Sequence, residues 1–213
     1  MHATVPAPGR TVTAAASRRL SWRVVDIVVA AVLGVAIGLV FWIWNTIGFA
    51  WFTAADALTP GFGGIAVGIW LLGGVVGGLV IRKPGAAIVV EVVAAIVSML
   101  IGNMWGVSTV LEGLAQGLGA EIVFALFLYR RFSLPVAMLA GVVASCGSWL
   151  FEMFWGSSPN ILKSVEFNAI YLGALVISGA LLAGLLGWLL VRALAATGAL
   201  SRFAAGRERR REV

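Results

Sequence analysis

The sequence of 213 residues is poor in the side chains that most enzymes and metal sites need. It has one cysteine, Cys146, inside an apolar run, and one histidine, His2, in the N-terminal tail. A lone cysteine excludes a disulfide framework or a cysteine-based metal site, and the position of His2 excludes histidine–cysteine catalysis. The phosphate-binding motif GxxxxGK followed by Ser or Thr is also absent, so ATP hydrolysis has to come from a partner chain. We expect neither a catalytic centre nor a cofactor.

Charged residues are scarce as well. They make up 11% of the chain, whereas hydrophobic residues make up 61%. A soluble domain carries about 25% charged residues, so the excess apolar surface is expected to face lipid. The net charge of +6 does not indicate nucleic acid, because the basic residues lie in the tails or at the ends of apolar segments. The sequence therefore predicts an integral membrane protein whose partner is the lipid bilayer.

Six intervals between charges are long enough for a helix that crosses the hydrocarbon core, which takes about 20 residues. Prolines at Pro84 and Pro135 mark two helix starts, where a missing N–H group costs nothing. The predicted fold is an all-α bundle within residues 23–195, with tails at 1–22 and 196–213. We place its six helices at about 24–50, 62–81, 85–102, 108–129, 134–155 and 166–192.

Arginine and lysine predict the orientation of the bundle. Fourteen of the fifteen basic residues precede helix 1, follow helix 6 or lie in the loops after helices 2 and 4. Lys163 alone lies on the other side. By the positive-inside rule, both termini are cytoplasmic and the protein spans the plasma membrane several times. The loop at about 51–61 is then the longest one outside, and its aromatic residues suggest that it covers a site.

Carboxylates and amides inside the spans are expensive to insert, and each one is a functional candidate. Glu91 in helix 3 and Glu121 in helix 4 lie toward the inside, and they either contact a ligand or hydrogen-bond each other. A second group converges on the outer half, where helical spacing brings polar and aromatic side chains onto shared faces. Its members are Asn45, Asn103, Trp105, Glu112, Gln116, Trp149, Glu152, Asn168 and Tyr171. Glu121 lies nine residues after Glu112, so the two face opposite ways.

Small residues repeat every four positions on helix 1, at Ala30, Gly34 and Gly38. Such a stripe lets another backbone approach closely. The spacing leaves open whether that backbone belongs to this chain or to a partner protein.

Four segments in order resemble the YkoE family, whose members are substrate-binding S components of energy-coupling factor (ECF) importers. They are IRKPGAA at 81–87 followed by Glu91, GNMWG at 102–106, GLGAEIVFA at 117–125 and YRRF at 129–132. The resemblance implies six helices, no catalysis, and an outward pocket for thiamine or its hydroxymethylpyrimidine precursor (HMP). It also implies a complex with a transmembrane T component and two ATPase subunits, docked through the helix 1 stripe.

Two other functions are weighed against capture of a vitamin for import. A self-sufficient proton-coupled carrier of a small cation would use Glu91 and Glu121 as its relay, but the chain shows no inverted hydropathy repeat. A membrane-embedded enzyme would need a nucleophile–base pair or metal ligands, and carboxylates and serines are all that the spans offer.

Overall fold

The computed structural model describes residues 20–156, 159–201, 203, 205 and 206. A 3₁₀ segment, Phe62–Leu71, leads directly into the helix Leu72–Ile81, and a π-helical segment, Gly179–Leu185, joins the helices Val165–Ser178 and Leu186–Ala196. A short 3₁₀ turn, Asn160–Leu162, precedes α6. The α-helices are α1 (Val24–Leu58), α2 (Leu72–Ile81), α3 (Ala86–Ile101), α4 (Ser108–Leu126), α5 (Leu134–Phe154), α6 (Val165–Ser178) and α7 (Leu186–Ala196).

These elements form six rods that correspond to the six predicted spans, and the all-α fold is confirmed. Within the described ranges, five rods are long and apolar enough to cross a membrane. They are Val24–Leu58, Phe62–Ile81, Ser108–Leu126, Leu134–Phe154 and Val165–Ala196. The remaining rod, α3, has 16 residues. Its length of about 24 Å is less than the hydrocarbon thickness of about 30 Å.

Helix α1 continues past the predicted end at residue 50, and most of the expected outer loop is helical. It has 35 residues, or about 52 Å at 1.5 Å per residue, which exceeds the thickness of a bilayer of about 40–45 Å. It ends at Leu58 because Thr59 precedes Pro60, and a residue before proline disfavours the helical conformation. The expectation was wrong because it used bilayer thickness to end a helix that contains no earlier breaker.

Helix α2 lies at the centre of the bundle, and all ten of its residues are buried. Its glycines allow α3 and α4 to approach closely. A Cβ atom added at Gly78 would lie 2.2 Å from Cε2 of Phe124, and one at Gly77 would lie 2.6 Å from Cβ of Val90. Side chains at these positions would force the helices apart.

The described parts of the two tails pack against the end of the bundle where α1 begins and α7 ends, hereafter the inner end. Nε1 of Trp22 donates to the carbonyl of Pro84 at 2.8 Å, and Leu200, Phe203 and Ala205 are buried in the main core. Residues 1–19 of the predicted N-terminal tail, and 202, 204 and 207–213 of the C-terminal one, lie outside the described residues. Part of each tail therefore belongs to the folded body.

Candidate functional site

Two half-buried glutamates on neighbouring helices lie at the end of the bundle opposite the start of α1 and the end of α7, hereafter the outer end. Glu112 lies near the start of α4, and Glu152 lies near the end of α5, one helical turn after Ser148. Oε1 of Glu112 accepts from Oγ of Ser148 at 2.9 Å and from Nε2 of Gln116 at 3.0 Å. Glu112 and Glu152, hereafter the carboxyl pair, are thus held by side chains.

The start of α6 and the loop before it complete the surroundings of Glu152. The hydroxyl of Tyr171 donates to Oε1 of Glu152 at 3.0 Å, and Nδ2 of Asn160 approaches Oε2 at 3.4 Å. Nδ2 of Asn168 donates to the carbonyls of Asn160 at 2.8 Å and Ser164 at 3.1 Å. Asn168 therefore fastens the loop that carries Asn160.

Aromatic rings form a continuous wall beside the carboxyl pair. Tyr171 meets Phe52 edge to face with centroids 6.3 Å apart, and Phe52 stacks on Phe49 at 6.0 Å. Phe49 meets Trp105 at 5.6 Å, and Trp105 meets Trp70 at 5.7 Å. The wall joins α6, the outer end of α1, the turn after α3 and the 3₁₀ segment.

Two asparagines hold the tryptophans of this wall. Oδ1 of Asn45 accepts from Nε1 of Trp70, and its Nδ2 donates to Oγ of Ser98, both at 2.9 Å. Oδ1 of Asn103 accepts from the backbone N–H of Trp105 at 3.0 Å and of Gly106 at 2.8 Å. Asn45 thus fixes the ring of Trp70, and Asn103 fixes the turn that presents Trp105.

Several polar atoms of the described residues are buried without a hydrogen-bond partner. Three of them belong to the outer group: Nε1 of Trp149, Nδ2 of Asn103 and Oδ1 of Asn168. Trp149 packs against the small apolar cluster that contains Tyr171. A buried donor or acceptor without a partner costs about 1–3 kcal/mol. A ligand that offers both acceptors and donors would remove that cost.

Glu91 lies deeper, at the crossing of α2, α3 and α4, and it is fully buried. Oε2 accepts from the backbone N–H of Gly74, whereas Oε1 is a fourth buried atom without a partner. It does not bond Glu121, so the alternative in which the two glutamates pair is not what the structure shows. Within the described residues, its carboxyl group makes no hydrogen bond to the outer group.

Glu121 binds the start of α3 at the inner end. Oε1 accepts from the N–H of Gly85 at 2.6 Å, and Oε2 accepts from the N–H of Ala87 at 2.9 Å. A carboxylate there also complements the positive end of the helix dipole. The hydroxyl of Tyr129 donates to Oε1 at 2.7 Å, and burial together with this carboxylate raises the pKa of Tyr129 above its usual range. Glu121 is thus a helix cap, separate from Glu112 as the helical rotation predicts.

Three comparisons with known proteins agree on the class of this chain. The family model described as "ABC-type cobalt transport system, permease component" matches residues 25–147. The Bacillus subtilis protein YkoE, provisionally named an HMP/thiamine permease protein, is 40% identical over 192 residues, covering 88% of this chain and 92% of that protein. The chain belongs to the YkoE family.

A solved structure supports the same assignment. A crystal structure described as an S component of an ECF transporter superposes with a TM-score of 0.76 at 35% identity, covering 90% of this chain and 95% of that one. The chain is accordingly a multi-pass membrane protein of an ECF S-component family, and the resemblance drawn from the four sequence segments is confirmed.

In this YkoE-family chain, the small-residue stripe of α1 packs inside the molecule. Ala30, Gly34 and Gly38 are buried, and α1 packs against α3. A Cβ atom at Gly34 would lie 2.4 Å from Cγ1 of Val93, and one at Gly38 would lie 2.8 Å from the carbonyl oxygen of Ala94. Of the two alternatives left open by the spacing, the structure supports the intramolecular one. The stripe is not a free docking surface.

Sequence reasoning missed several members of the outer group. Trp70 is half-buried in a 3₁₀ segment that the apolar pattern does not distinguish from an α-helix. Asn160 lies in the loop before α6, where the sequence predicted no site residue. Phe52 was assigned to a loop because α1 was ended too early. For Trp70, the sequence offered one signal, an indole in the outer half of a predicted span. Asn160 and Phe52 could be recognised only from the tertiary structure.

Proposed function

We propose that this YkoE-family chain is the substrate-capturing S component of an ECF-type ABC importer, and that it binds thiamine or HMP at its outer end. The names of its relatives support the class of transported compound and the S-component role. The chain performs no catalysis in this proposal. It presents a substrate to partner subunits that hydrolyse ATP.

The observation that carries the proposal is the joining of the carboxyl pair and the aromatic wall at one end of the bundle. Tyr171 belongs to both, because it donates to Glu152 and contacts the ring of Phe52. A flat cationic heterocycle binds best between π faces with an anionic group nearby. The thiazolium ring of thiamine is such a cation, whereas HMP lacks a fixed charge.

The unpartnered atoms suit the ring that thiamine and HMP share. An aminopyrimidine has ring nitrogens that accept hydrogen bonds and an amino group that donates. Nε1 of Trp149 and Nδ2 of Asn103 are buried donors, and Oδ1 of Asn168 is a buried acceptor. In our proposal the binding group also includes Trp105, Glu112, Gln116, Glu152 and Tyr171, with Asn45 as a positioning residue. Glu91 and Glu121 act in packing and capping.

The proposed partners follow from what the chain lacks. It has no phosphate-binding loop, so a T component and two ATPase subunits supply the work in the plasma membrane, with both termini of this chain cytoplasmic. Because the small-residue stripe is buried, docking would use the exposed face of α1, which includes Val28, Val32 and Val35. Cobalt, which the family description names, is not our choice of cargo, since the described residues contain no group of three His, Cys, Asp or Glu placed to hold a metal.

A proton-coupled carrier receives less support from the geometry. Its relay would run through Glu91 and Glu121, but the hydrogen bonds of Glu121 go to the start of α3 and that of Glu91 goes to Gly74. Reconstitution into sealed liposomes separates the two functions. The chain alone should bind substrate without accumulating it, with or without a proton gradient. Gradient-driven accumulation by the chain alone would favour the carrier.

Direct binding to the purified chain tests the proposed substrate. Titration calorimetry should detect thiamine and HMP binding, with thiamine tighter because the carboxyl pair favours a cation. Absence of binding by both compounds, in protein that melts cooperatively, would contradict the proposal.

A further inference from the structure

The segment Phe62–Leu71 keeps 3₁₀ geometry for ten residues, although most 3₁₀ runs end after about three or four. In a 3₁₀ helix each N–H group pairs with the carbonyl three residues before it, and in an α-helix with the carbonyl four residues before it. The geometry of the 3₁₀ hydrogen bond is the poorer of the two. A 3₁₀ segment of this length therefore needs support from its neighbours.

Ser178, the last residue of α6, supplies such support. Its Oγ accepts from the backbone N–H of Gly68 at 2.8 Å and donates to the carbonyl of Ile65 at 2.6 Å. Ile65 lies three residues before Gly68, so one hydroxyl bridges the two partners of a single 3₁₀ step. Ser178 is buried, and both hydrogen bonds are made away from water, where they are stronger.

The segment is held from two sides at this step. The hydroxyl reaches it because position 68 is glycine: a Cβ atom there would lie 2.6 Å from Oγ of Ser178. On the side of α1, Nε1 of Trp44 donates to the carbonyl of Ala66 at 2.9 Å. Neighbouring carbonyls, those of Ile65 and Ala66, are thus bonded by α6 and by α1.

Trp70 follows Gly68 by two residues, so the winding of the segment determines where its ring lies. A 3₁₀ helix turns by about 120° per residue and an α-helix by about 100°. Rewinding over two or three residues would therefore rotate Trp70 by about 40–60°. In the 3₁₀ form Nε1 of Trp70 donates to Oδ1 of Asn45 at 2.9 Å, and its ring lies 5.7 Å from that of Trp105. A rotation of that size would break both contacts.

We infer that Ser178 is a positioning residue for substrate capture: its hydroxyl holds Phe62–Leu71 in the 3₁₀ form, and this form places Trp70 in the aromatic wall. The inference rests on the proposed function, because the wall is where thiamine or HMP binds in that proposal. Ser178 acts through Trp70 and does not touch the ligand. Without the hydroxyl, the N–H of Gly68 and the carbonyl of Ile65 are free to pair as in an α-helix, and the Trp70 ring turns away.

A double-mutant cycle tests whether Ser178 acts through Trp70. Titration calorimetry gives the affinities of thiamine and HMP for the wild type, Ser178→Ala, Trp70→Phe and the double variant. Ser178→Ala should weaken binding of both compounds by about fivefold, the scale of one lost hydrogen bond. The same change should have little further effect where Trp70 is already Phe, because the two residues act as one unit.

Fluorine NMR of chains labelled with 5-fluorotryptophan follows the Trp70 ring without any ligand. The signal of Trp70 is the one that Trp70→Phe removes, and it should shift in Ser178→Ala. Ser145→Ala is the matched control, because Ser145 is equally buried and its hydroxyl donates to the carbonyls of Gly141 and Leu175, outside the 3₁₀ segment. It should lower the melting temperature and leave the Trp70 signal and both affinities unchanged.

If Ser178→Ala does not fold, Ser178→Cys takes its place in both measurements, because a thiol keeps the shape of the side chain and is a weak donor and acceptor. A folded variant with wild-type affinities or an unshifted Trp70 signal overturns this inference alone. An equal loss of affinity in the wild-type and Trp70→Phe backgrounds also overturns it. Absence of binding of both compounds by the wild type overturns the proposed function and the inference with it.

Discussion

At the outer end of the bundle the carboxyl pair accepts hydrogen bonds from side chains, whereas at the inner end Glu121 accepts from the backbone of α3. The difference matters because a hydroxyl or amide side chain can turn toward a ligand, and a backbone N–H at a helix start cannot. Glutamates that look alike in an apolar sequence thus have different roles. The outer ones accept from side chains that can reorient, and Glu121 caps the start of a helix.

The two ends also differ in whether their buried polar groups have partners. The buried carboxylate of Asp26 at the inner end is paired with Arg23 and with the ammonium of Lys83. That cluster links the start of α1 to the loop between α2 and α3. At the outer end, Trp149, Asn103 and Asn168 keep buried atoms without partners. Three of the four buried atoms without a partner in the described residues thus belong to the outer group, as expected of a group that binds a ligand.

The largest effect should come from the contact between α1 and α3, which supports both ends. Gly34→Leu would place its side chain inside Val93, and overpacking of this kind costs about 3 kcal/mol or more. We expect a clear loss of thermal stability in detergent. Val35→Leu on the exposed face of the same helix is the matched control and should melt like the wild type. If the Gly34→Leu chain is stable and binds substrate but fails in uptake, the small-residue stripe would be a docking surface for a partner protein.

Removal of the inner cap should be the next largest effect. Glu121→Ala leaves the N–H groups of Gly85 and Ala87 without their acceptor, which costs about 2–3 kcal/mol. The melting temperature should fall, while thiamine affinity at a temperature where the chain is folded should not change. If affinity falls with stability unaltered, the division between the two ends is wrong.

A subtler change at the outer end should affect binding alone. Trp149→Phe keeps an aromatic ring and removes the buried Nε1–H, so thiamine and HMP should each bind about 1–2 kcal/mol more weakly. Calorimetry gives the affinities, and the melting temperature should not change. Trp155→Phe is the control, because Trp155 is exposed and stacks on Phe151. Equal affinities in wild type and Trp149→Phe would remove Trp149 from the proposed site.

The smallest effect concerns alkaline stability at the inner end. The pKa of Tyr129 is raised in the folded chain by burial and by Glu121. A raised pKa favours the folded state below the ordinary tyrosine pKa of about 10, and that contribution is lost as pH rises further. Melting temperatures measured between about pH 8 and 11 should fall more for the wild type than for Tyr129→Phe. Parallel curves would contradict this coupling.

Much of the fold can be predicted from the spacing of charges and prolines. Pro135 begins α5 as expected, and all six spans occur within a few residues of their predicted starts. The extent of α1 was missed because membrane thickness says nothing about how far a helix continues into water. The 3₁₀ form of Phe62–Leu71 was also missed, because an apolar run rich in glycine has the same pattern in both conformations.

The sequence predicted which residues of the outer group share a helix face, but it did not predict the hydrogen bonds that they make. Spacing of three and four residues placed Glu112 with Gln116 and Asn168 with Tyr171, and the nine-residue interval separated Glu121 from Glu112. The donors that each glutamate uses depend on neighbouring helices that no local pattern specifies. Oδ1 of Asn45, for example, bonds Trp70 at a separation of 25 residues.

The most direct test compares Glu152→Gln with Glu121→Gln by thiamine titration of the two purified variants. Both changes remove one carboxylate and keep the shape of the side chain. We predict that Glu152→Gln weakens binding at least tenfold, or about 1.4 kcal/mol, and that Glu121→Gln lowers the melting temperature without changing the affinity. Unchanged affinity in Glu152→Gln together with lost affinity in a folded Glu121→Gln chain would place the substrate at the inner end and contradict the account.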